Sequence, residues 1–208
     1  MIAHDVGTSS NKAVLMDIDG NILESATVEY GFQYPNPGWV EQSPEDYWQA
    51  IINSTKKVMT HSKVDTSEIL GIVFATQAMG IIPLSRDHNV LMNNITWVDG
   101  RAEKQATRLM NRFAGKTAFK SFLGIELTGK DVIPKLIWLK EERKDIYDKT
   151  NKVLDVNGYL KYNSTGKIFA EWSGACSYAF NLKQKDWEKI FFRMSGISID
   201  KLPNLIRS

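Results

Sequence analysis

Residues 2–32 alternate short apolar runs with polar positions, which is the pattern of β-strands. The apolar runs cover 2–7, 12–18 and 22–32, and the Asp-Gly-Asn turn at 19–21 separates the last two. Such a turn favours a hairpin, because its residues tolerate the left-handed backbone that a tight connection requires. The pattern therefore predicts an antiparallel meander at the start of the chain.

A helical period replaces this alternation after residue 43. Ser43 is a predicted N-cap, Pro44 fits the first helical position, and Asp46 is a predicted capping-box acid. The side chains that repeat at helical spacing and are expected to face the sheet are Trp48, Ile51, Ile52, Thr55 and Val58. This segment predicts an amphipathic helix that covers the strands.

The rest of the chain mixes strands and helices without a linker or repeat. Residues 68–78 predict a buried strand, and residues 81–99 predict a hairpin. The later elements predicted are helices at 101–115, 134–149 and 186–196, a strand at 152–156, and a strand or hairpin at 169–182. A strand meander followed by alternating strands and helices predicts an α/β fold with a mixed sheet and flanking helices.

Composition supports a globular core and excludes several kinds of partner. Apolar residues make up 43% of the 208, enough to fill a core. The net charge of +2 is close to balance and the basic residues are dispersed, so no nucleic-acid surface is expected. A single cysteine, Cys176, excludes an internal disulfide framework and fits a reducing compartment. With no apolar run of about 18 residues and no leader, we expect a cytoplasmic protein without membrane contact.

The loop after the first strand carries candidate phosphate chemistry. Asp5 lies on that strand, and the loop that follows consists of Gly7, Thr8, Ser9 and Ser10, with Lys12 beyond it. Backbone N–H groups, hydroxyls and a lysine can bind phosphate, and an aspartate beside them can hold Mg²⁺ through water. The same residues also form ordinary hairpin turns, with the aspartate as a cap. The loop alone leaves both interpretations open.

Five blocks of the sequence, taken in order, resemble motifs of the FGGY family of carbohydrate kinases. The blocks are DVGTSSNKAVLMDIDGNIL at 5–23, GWVEQSPEDYW at 38–48, residues 71–102 ending in a W-x-D-x-R element, KLIWLKEE at 135–142, and FAEWSGACSY at 169–178. The resemblance covers essentially the whole chain and is closest to the xylulokinase and gluconokinase type. It implies a ribonuclease H-like fold of the actin, hexokinase and Hsp70 superfamily. Residues 1–208 would be the N-terminal domain, and the C-terminal adenine-binding domain is expected to be absent from the chain.

The resemblance also implies roles for individual residues in binding ATP, Mg²⁺ and a sugar. Asp5 matches the aspartate that organises Mg²⁺. The residues that match the ATP phosphate-binding loop are Gly7, Thr8, Ser9, Ser10 and Lys12. The residues that match substrate-binding positions are Gln77, Ala78, Met79, Trp97, Asp99, Arg101 and Lys130.

Several of these positions keep a second interpretation. Xylulokinases usually carry Gln-Met-His and glycerol kinase Gln-Arg-Glu where this chain has Gln-Ala-Met, and neither Ala78 nor Met79 can bind hydroxyls in the same way. Met79 also suits core filling. Asp99 and Arg101 also suit an ion pair that caps the following helix. Lys130 suits either an acidic sugar or plain solvent exposure.

The family's catalytic base, an aspartate in a Gly-Asp motif, is expected beyond Ser208, so no catalytic residue is assigned within the chain and the isolated chain is expected to be inactive. The predicted function is therefore the N-terminal part of an ATP-dependent kinase for a ketose, polyol or sugar acid, with a xylulose-like substrate favoured.

The substitutions at Ala78 and Met79 leave open a non-catalytic sugar-binding or regulatory member of the fold. A ribonuclease H-type nuclease would share Asp5, but its two-metal chemistry needs further converging carboxylates that the sequence does not place. Family members are often homodimers, although no segment here identifies a dimer surface.

Overall fold

The computed structural model describes residues 1–112, 115–123 and 126–207. The strands are β1 Ile2–Val6, β2 Ser10–Met16, β3 Ile22–Glu29, β4 Glu41–Gln42, β5 Ile72–Thr76, β6 Ile82–Leu84, β7 Asn94–Ile95, β8 Lys152–Leu154, β9 Phe169–Glu171, β10 Phe180–Asn181, β11 Asp186–Trp187 and β12 Asn204–Ile206. The α-helices are α1 Pro44–Ser62, α2 Glu103–Arg112, α3 Lys116–Leu123, α4 Val132–Glu142, α5 Lys144–Lys149, α6 Val156–Thr165, α7 Trp172–Ala175 and α8 Lys189–Ser195. Phe113 and Ala114, the end of one predicted helix, lie outside the described residues.

The main sheet has the strand order β3-β2-β1-β5. Strands β1, β2 and β3 are antiparallel neighbours, which confirms the predicted meander, whereas β5 runs parallel to β1. The sheet is therefore mixed, as the sequence predicts. The register places Asp5 of β1 between Lys12 of β2 and Ala75 of β5.

Helix α1 covers one face of this sheet and begins at Pro44, as predicted. The predicted capping box does not form, because the Ser43 side chain makes no capping hydrogen bond and only its backbone carbonyl accepts from the Asp46 N–H, at 3.1 Å. The buried positions of the helix are Pro44, Tyr47, Ala50, Ile51, Ser54 and Val58. Tyr47 thus takes the buried place predicted for Trp48, because its hydroxyl finds hydrogen-bond partners inside.

Strand β5 differs from its prediction as a buried strand. It lies at the edge of the sheet, where Ile72 and Val73 keep 49% and 48% of their surface exposed. One of its carbonyls, that of Phe74, accepts a hydrogen bond from the Asn157 side chain at 3.3 Å. Within the described ranges, no strand pairs with its outer side.

The second half of the chain packs as a helical layer around α4. Residues 132–139 of α4 are all buried, and α2 and α5 pack directly against this helix. The predicted hairpin at 81–99 forms only through bridges between Ile81 and Ile95 and between Leu84 and Val90, because β6 pairs with β8 and β7 with β4. No helix in the described part of the chain is long and apolar enough to cross a membrane.

Candidate functional site

The loop between β1 and β2 is held from behind by Tyr30. The Tyr30 hydroxyl donates to the carbonyl of Gly7 at 2.7 Å and also lies 3.0 Å from that of Ser10. Its backbone N–H donates to the carbonyl of Ser9 at 3.0 Å. Burial, with a contribution from the charge of Asp5, raises the pKa of Tyr30, so the hydroxyl remains a donor. Three loop carbonyls are therefore turned toward the protein.

The fourth loop carbonyl, that of Thr8, accepts a hydrogen bond from Gln42 Nε2 at 2.8 Å. Among the described residues, the N–H groups of Thr8 and Ser9 donate to no protein acceptor. A loop with bound carbonyls and free N–H groups presents partial positive charge outward, which is the arrangement of an anion-binding turn. This geometry favours the phosphate-binding interpretation over a plain hairpin turn.

Asp5 and Lys12 lie beside this loop, opposite each other across the β1–β2 pair, and both are exposed. In the ranges that the structure describes, the Asp5 carboxylate has no hydrogen bond or ion pair. A free carboxylate next to a phosphate-binding loop suits Mg²⁺, which prefers one or two carboxylates together with phosphate oxygens and water. No group of three or more His, Cys, Asp or Glu side chains forms a metal cage in the described residues.

Gln77 follows β5 and belongs to a buried hydrogen-bond network. Its Nε2 donates to Gln42 Oε1 at 2.9 Å and lies 3.3 Å from the Tyr47 hydroxyl. The Tyr47 hydroxyl donates to the same Gln42 oxygen at 2.7 Å and accepts from Asn94 Nδ2 at 2.9 Å. Because Gln42 also binds the carbonyl of Thr8, the network connects the predicted substrate segment with the predicted phosphate-binding loop.

Ala78 and Met79 occupy the tip of this segment. Ala78 is exposed, whereas Met79 is half-buried, packs against the helical core and has a positive φ of 62°. Met79 also borders a cavity of about 420 Å³ that Asp131 and Tyr178 help to line. Both interpretations of Met79, core filling and a place beside a ligand, are therefore compatible with its position.

Trp97 is 40% exposed, and its indole N–H donates to the Thr8 hydroxyl at 3.3 Å. The side chain that the resemblance assigns to the substrate thus contacts the predicted phosphate-binding loop. Lys130, by contrast, is exposed in the turn before α4 and does not border the 420 Å³ cavity. The structure therefore brings Trp97 to the loop and leaves Lys130 outside the lining of that cavity.

Arg101 forms a buried ion pair with Asp99, and the two nearest atoms are 2.7 Å apart. A second bond joins Arg101 to Glu41 at 2.9 Å, and neither Asp99 nor Arg101 has an exposed side chain. The guanidinium lies 4.0 Å from the ring centre of Trp39 and 4.8 Å from that of Trp138. Asp99 and Arg101 thus form an ion pair near the start of α2 and fix the segment that carries Trp97.

The residues that hold the site and are not predicted from the sequence include Tyr30, Gln42, Tyr47 and Asn94. Gln42 and Tyr47 do lie within the block 38–48 that resembles the family. Residues 43–46 of that block predict the start of α1 and nothing in it predicts a site, so the available signal is a polar residue inside a block that resembles the family.

A loop with free N–H groups beside an unpaired aspartate, on an α/β domain, is an arrangement typical of proteins that bind phosphate. The comparisons with known proteins then give the family. The sequence profile of the FGGY family of carbohydrate kinases, N-terminal domain, matches residues 1–208. This chain belongs to the FGGY family and corresponds to its N-terminal domain.

Individual relatives agree with this assignment. The chain is 29% identical to the xylulose kinase of Bacillus subtilis over 100% of its own length and 42% of that protein. It is 28% identical to the gluconokinase of the same organism, over 99% of the chain and 40% of that protein. A crystal structure of a xyloylose kinase from Brucella ovis superposes with a TM-score of 0.90 at 27% identity, over 99% of this chain and 42% of that one. The chain thus spans less than half the length of the relatives it matches.

Proposed function

We propose that this chain is the phosphate- and sugar-side domain of an ATP-dependent carbohydrate kinase that acts in the cytoplasm. The kinase transfers the γ-phosphate of ATP to a hydroxyl of a ketose, polyol or sugar acid, and a xylulose-like ketose is the favoured substrate. Membership of the family supports the reaction class, and the similarity to xylulose kinases, shared with gluconokinases at nearly equal identity, supports the range of substrates.

The observation that carries the proposal is the loop Gly7–Ser10 beside Asp5. Four bound carbonyls keep the loop in shape, and the N–H groups of Thr8 and Ser9 are free to bind phosphate oxygens. Lys12 adds positive charge on the same side of the sheet. In phosphoryl transfer, positioning and charge neutralisation account for most of the catalysis, and these residues supply both.

Asp5 would hold Mg²⁺ together with the ATP phosphates, because its carboxylate is exposed and has no partner in the described ranges. Bound there, the ion would neutralise the charge of the phosphates. The role of Asp5 itself is to fix that charge at the end of β1, next to the N–H groups that contact the nucleotide.

On the substrate side, we assign direct contacts to Gln77, Ala78, Met79 and Trp97. Asp99 and Arg101 are buried, so we assign them to the substrate site through the position they give Trp97. The ammonium of Lys130 is solvent-exposed and is proposed to reach an acidic or distal group of a larger substrate. We assign no catalytic base to residues 1–208, and we propose that the base belongs to a part of the protein outside them.

A coupled ADP-release assay tests this proposal on the full-length gene product. The panel should include xylulose and other ketoses, glycerol and other polyols, and gluconate and other sugar acids. We expect turnover with one of these classes that requires both ATP and Mg²⁺. Lack of turnover with every compound would contradict the kinase proposal.

The alternative is a non-catalytic sugar-binding member of the family, and the observation that favours it is the exposed, apolar Ala78 at the tip of the substrate segment. Titration calorimetry with the same panel separates the two functions. Sugar binding without ADP release supports the binding protein, whereas binding with ADP release supports the kinase.

A further inference from the structure

Lys135 is a lysine with none of its surface exposed, and the proposed reaction does not use it. It lies in the first half of α4, among apolar neighbours. Burial lowers the pKa of Lys135 to about 7, with an opposing effect from Asp99 and Asp131 and smaller lowering contributions from Arg101 and Lys130. A buried ammonium is costly, so its contacts should show what offsets the cost.

The ammonium of Lys135 donates to two backbone carbonyls from different parts of the chain. One is that of Met79, at 2.9 Å, and the other is that of Thr96, at 2.8 Å. Met79 ends the Gln77–Met79 segment, and Thr96 directly precedes Trp97. Lys135 thus joins the two segments that carry the proposed direct contacts with the substrate.

The approach of these segments is tight, and the backbone at one of them is strained. Met79 has a φ of 62°, a left-handed conformation that is unfavourable for a side chain other than glycine. At the next position, a Cβ on Gly80 would lie 2.4 Å from the Asn94 Oδ1 atom. The Lys135 ammonium donates to the carbonyl of Met79 and so helps to hold this strained, close-packed turn in place.

A second connection lies just beyond the ammonium. The N–H of Ile81 donates to the carbonyl of Ile95 at 3.2 Å, and the N–H of Ile95 donates back to the carbonyl of Ile81 at 3.2 Å. The bridge aligns the two segments inside the core, and Lys135 holds them at the end that faces the site. Removal of the ammonium would leave the inner bridge in place and free the functional end.

We propose that Lys135 is a positioning residue that fixes the segments 77–80 and 94–97 relative to each other and so sets the shape of the substrate site. This inference rests on the proposed kinase function for its effect on catalysis. Its structural part, the joining of the two segments, is independent of any activity. A role in packing alone would lower stability without acting selectively on these segments.

The test compares Lys135→Met with Lys152→Met. Lys152 is a matched control, because its ammonium also donates to two backbone carbonyls, those of Asp200 and Leu202, each at 2.7 Å, away from the site. In the full-length gene product we expect Lys135→Met to lower kcat/KM for the sugar by about ten- to hundredfold, mainly through KM, because small displacements of contact groups have effects of this size. Lys152→Met should stay within about twofold of the wild type in kcat/KM, since it touches no part of the site.

Hydrogen–deuterium exchange supplies a readout that needs no activity. We expect Lys135→Met to speed amide exchange at 77–80 and 94–97 together, and Lys152→Met to leave both segments unchanged. If Lys135→Met does not fold, Lys135→Gln, which keeps an N–H donor without the charge, takes its place in both measurements.

The outcomes separate this inference from the proposed function. Faster exchange at both segments in a protein that phosphorylates no sugar supports the positioning role and contradicts the kinase. Unchanged exchange and unchanged KM in an active kinase overturn the positioning role and leave the kinase proposal intact. Equal effects of the two lysine variants on exchange at these segments would also overturn it.

Discussion

The side-chain amide of Gln42 donates to the backbone carbonyl of Thr8 at 2.8 Å, while its oxygen accepts from Gln77 at 2.9 Å. One residue, which no chemical motif singles out, thus connects the loop proposed to bind ATP phosphates with the segment proposed to bind the sugar. Gln42 itself is buried and its two hydrogen bonds are partly buried, so a missing partner there is costly.

Gln42→Met should impair both sides of the site at once. The substitution leaves the carbonyl of Thr8 and the amide of Gln77 without this partner, and we expect KM to rise about threefold or more for both ATP and the sugar, in line with about 1 kcal/mol for one lost hydrogen bond. Steady-state kinetics of the full-length gene product measure this. Gln49→Met is the control, because among the described residues Gln49 bonds only to the exposed Glu45. A change confined to one substrate would argue against the connection.

Asp5→Asn should remove most of the activity while it leaves the fold intact. The asparagine has nearly the same size but lacks the charge that would hold Mg²⁺, and we expect kcat to fall by about a hundredfold or more. Asp19→Asn, in the exposed turn between β2 and β3, serves as the control. Turnover of Asp5→Asn within about threefold of the wild type would remove Asp5 from the proposed site.

Tyr30→Phe tests the bound carbonyls of the loop 7–10 that is proposed to bind phosphate. The variant deletes the hydroxyl that lies 2.7 Å from the carbonyl of Gly7, and we expect KM for ATP to rise about fivefold and the free energy of unfolding to fall by about 1 kcal/mol. Tyr34→Phe, in an exposed position, should change neither quantity. Urea denaturation and ATP titration measure the two effects, and an unchanged KM would show that the loop holds its shape without Tyr30.

Arg101→Met should destabilise the protein strongly. It leaves Asp99 and Glu41 without the arginine that pairs with both, and the loss of one partner from a buried ion pair costs about 3–5 kcal/mol. Arg108→Met removes an arginine whose pair with Glu141 is partly exposed, and about 1 kcal/mol or less is expected. Denaturant unfolding of both variants checks this contrast. Similar losses of unfolding free energy would mean that the buried pair stabilises the protein no more than the exposed one.

The stability should fall in acid because of His4. Burial lowers the pKa of His4 to about 4, and its neutral ring contacts Asn11 and Thr55. Since the pKa is 6.5 in the unfolded chain, neutral His4 contributes stability that is complete above about pH 6.5 and lost as the pH falls toward 4, on the order of 3 kcal/mol. His4→Gln should therefore show a smaller loss of unfolding free energy between pH 7 and 4.5 than the wild type.

His61→Gln is the control for this measurement, since His61 is exposed near the end of α1. It should follow the wild type at every pH. Parallel pH profiles for the wild type and His4→Gln would mean that the buried ring does not control acid stability.

Local signals predicted the parts of the fold that depend on neighbours in the chain. The meander followed from alternation and the turn at 19–21, and the start of α1 followed from Pro44. Helix α6 was not predicted, although Asp155 accepts from the Gly158 N–H at 2.7 Å as an N-cap and Gly166 ends the helix. The helix has few apolar positions, and the apolar run at 152–156 directly before it indicates a strand. The edge position of β5 depends on which strands pair, and that is not a local property.

The same distinction holds for the candidate site. Asp5, the loop 7–10 and Lys12 lie close together in the sequence, so one block that resembles the family predicts them as a group. Gln42 and Tyr30 meet the loop from positions at least 20 residues away in the chain, so no spacing rule reaches them. The burial of Arg101 also depends on Trp39 and Trp138, which flank it only after the chain has folded.

The free side of β5 has a consequence for handling the 208-residue chain by itself. An edge strand with half-exposed Ile72 and Val73 offers a ready template for strand addition by a second molecule. The Asn157 side chain binds one outward carbonyl and is the kind of local obstruction that restrains such growth. Strand addition at β5 would make the isolated chain self-associate with rising concentration, and a charge placed at Val73 would oppose that contact.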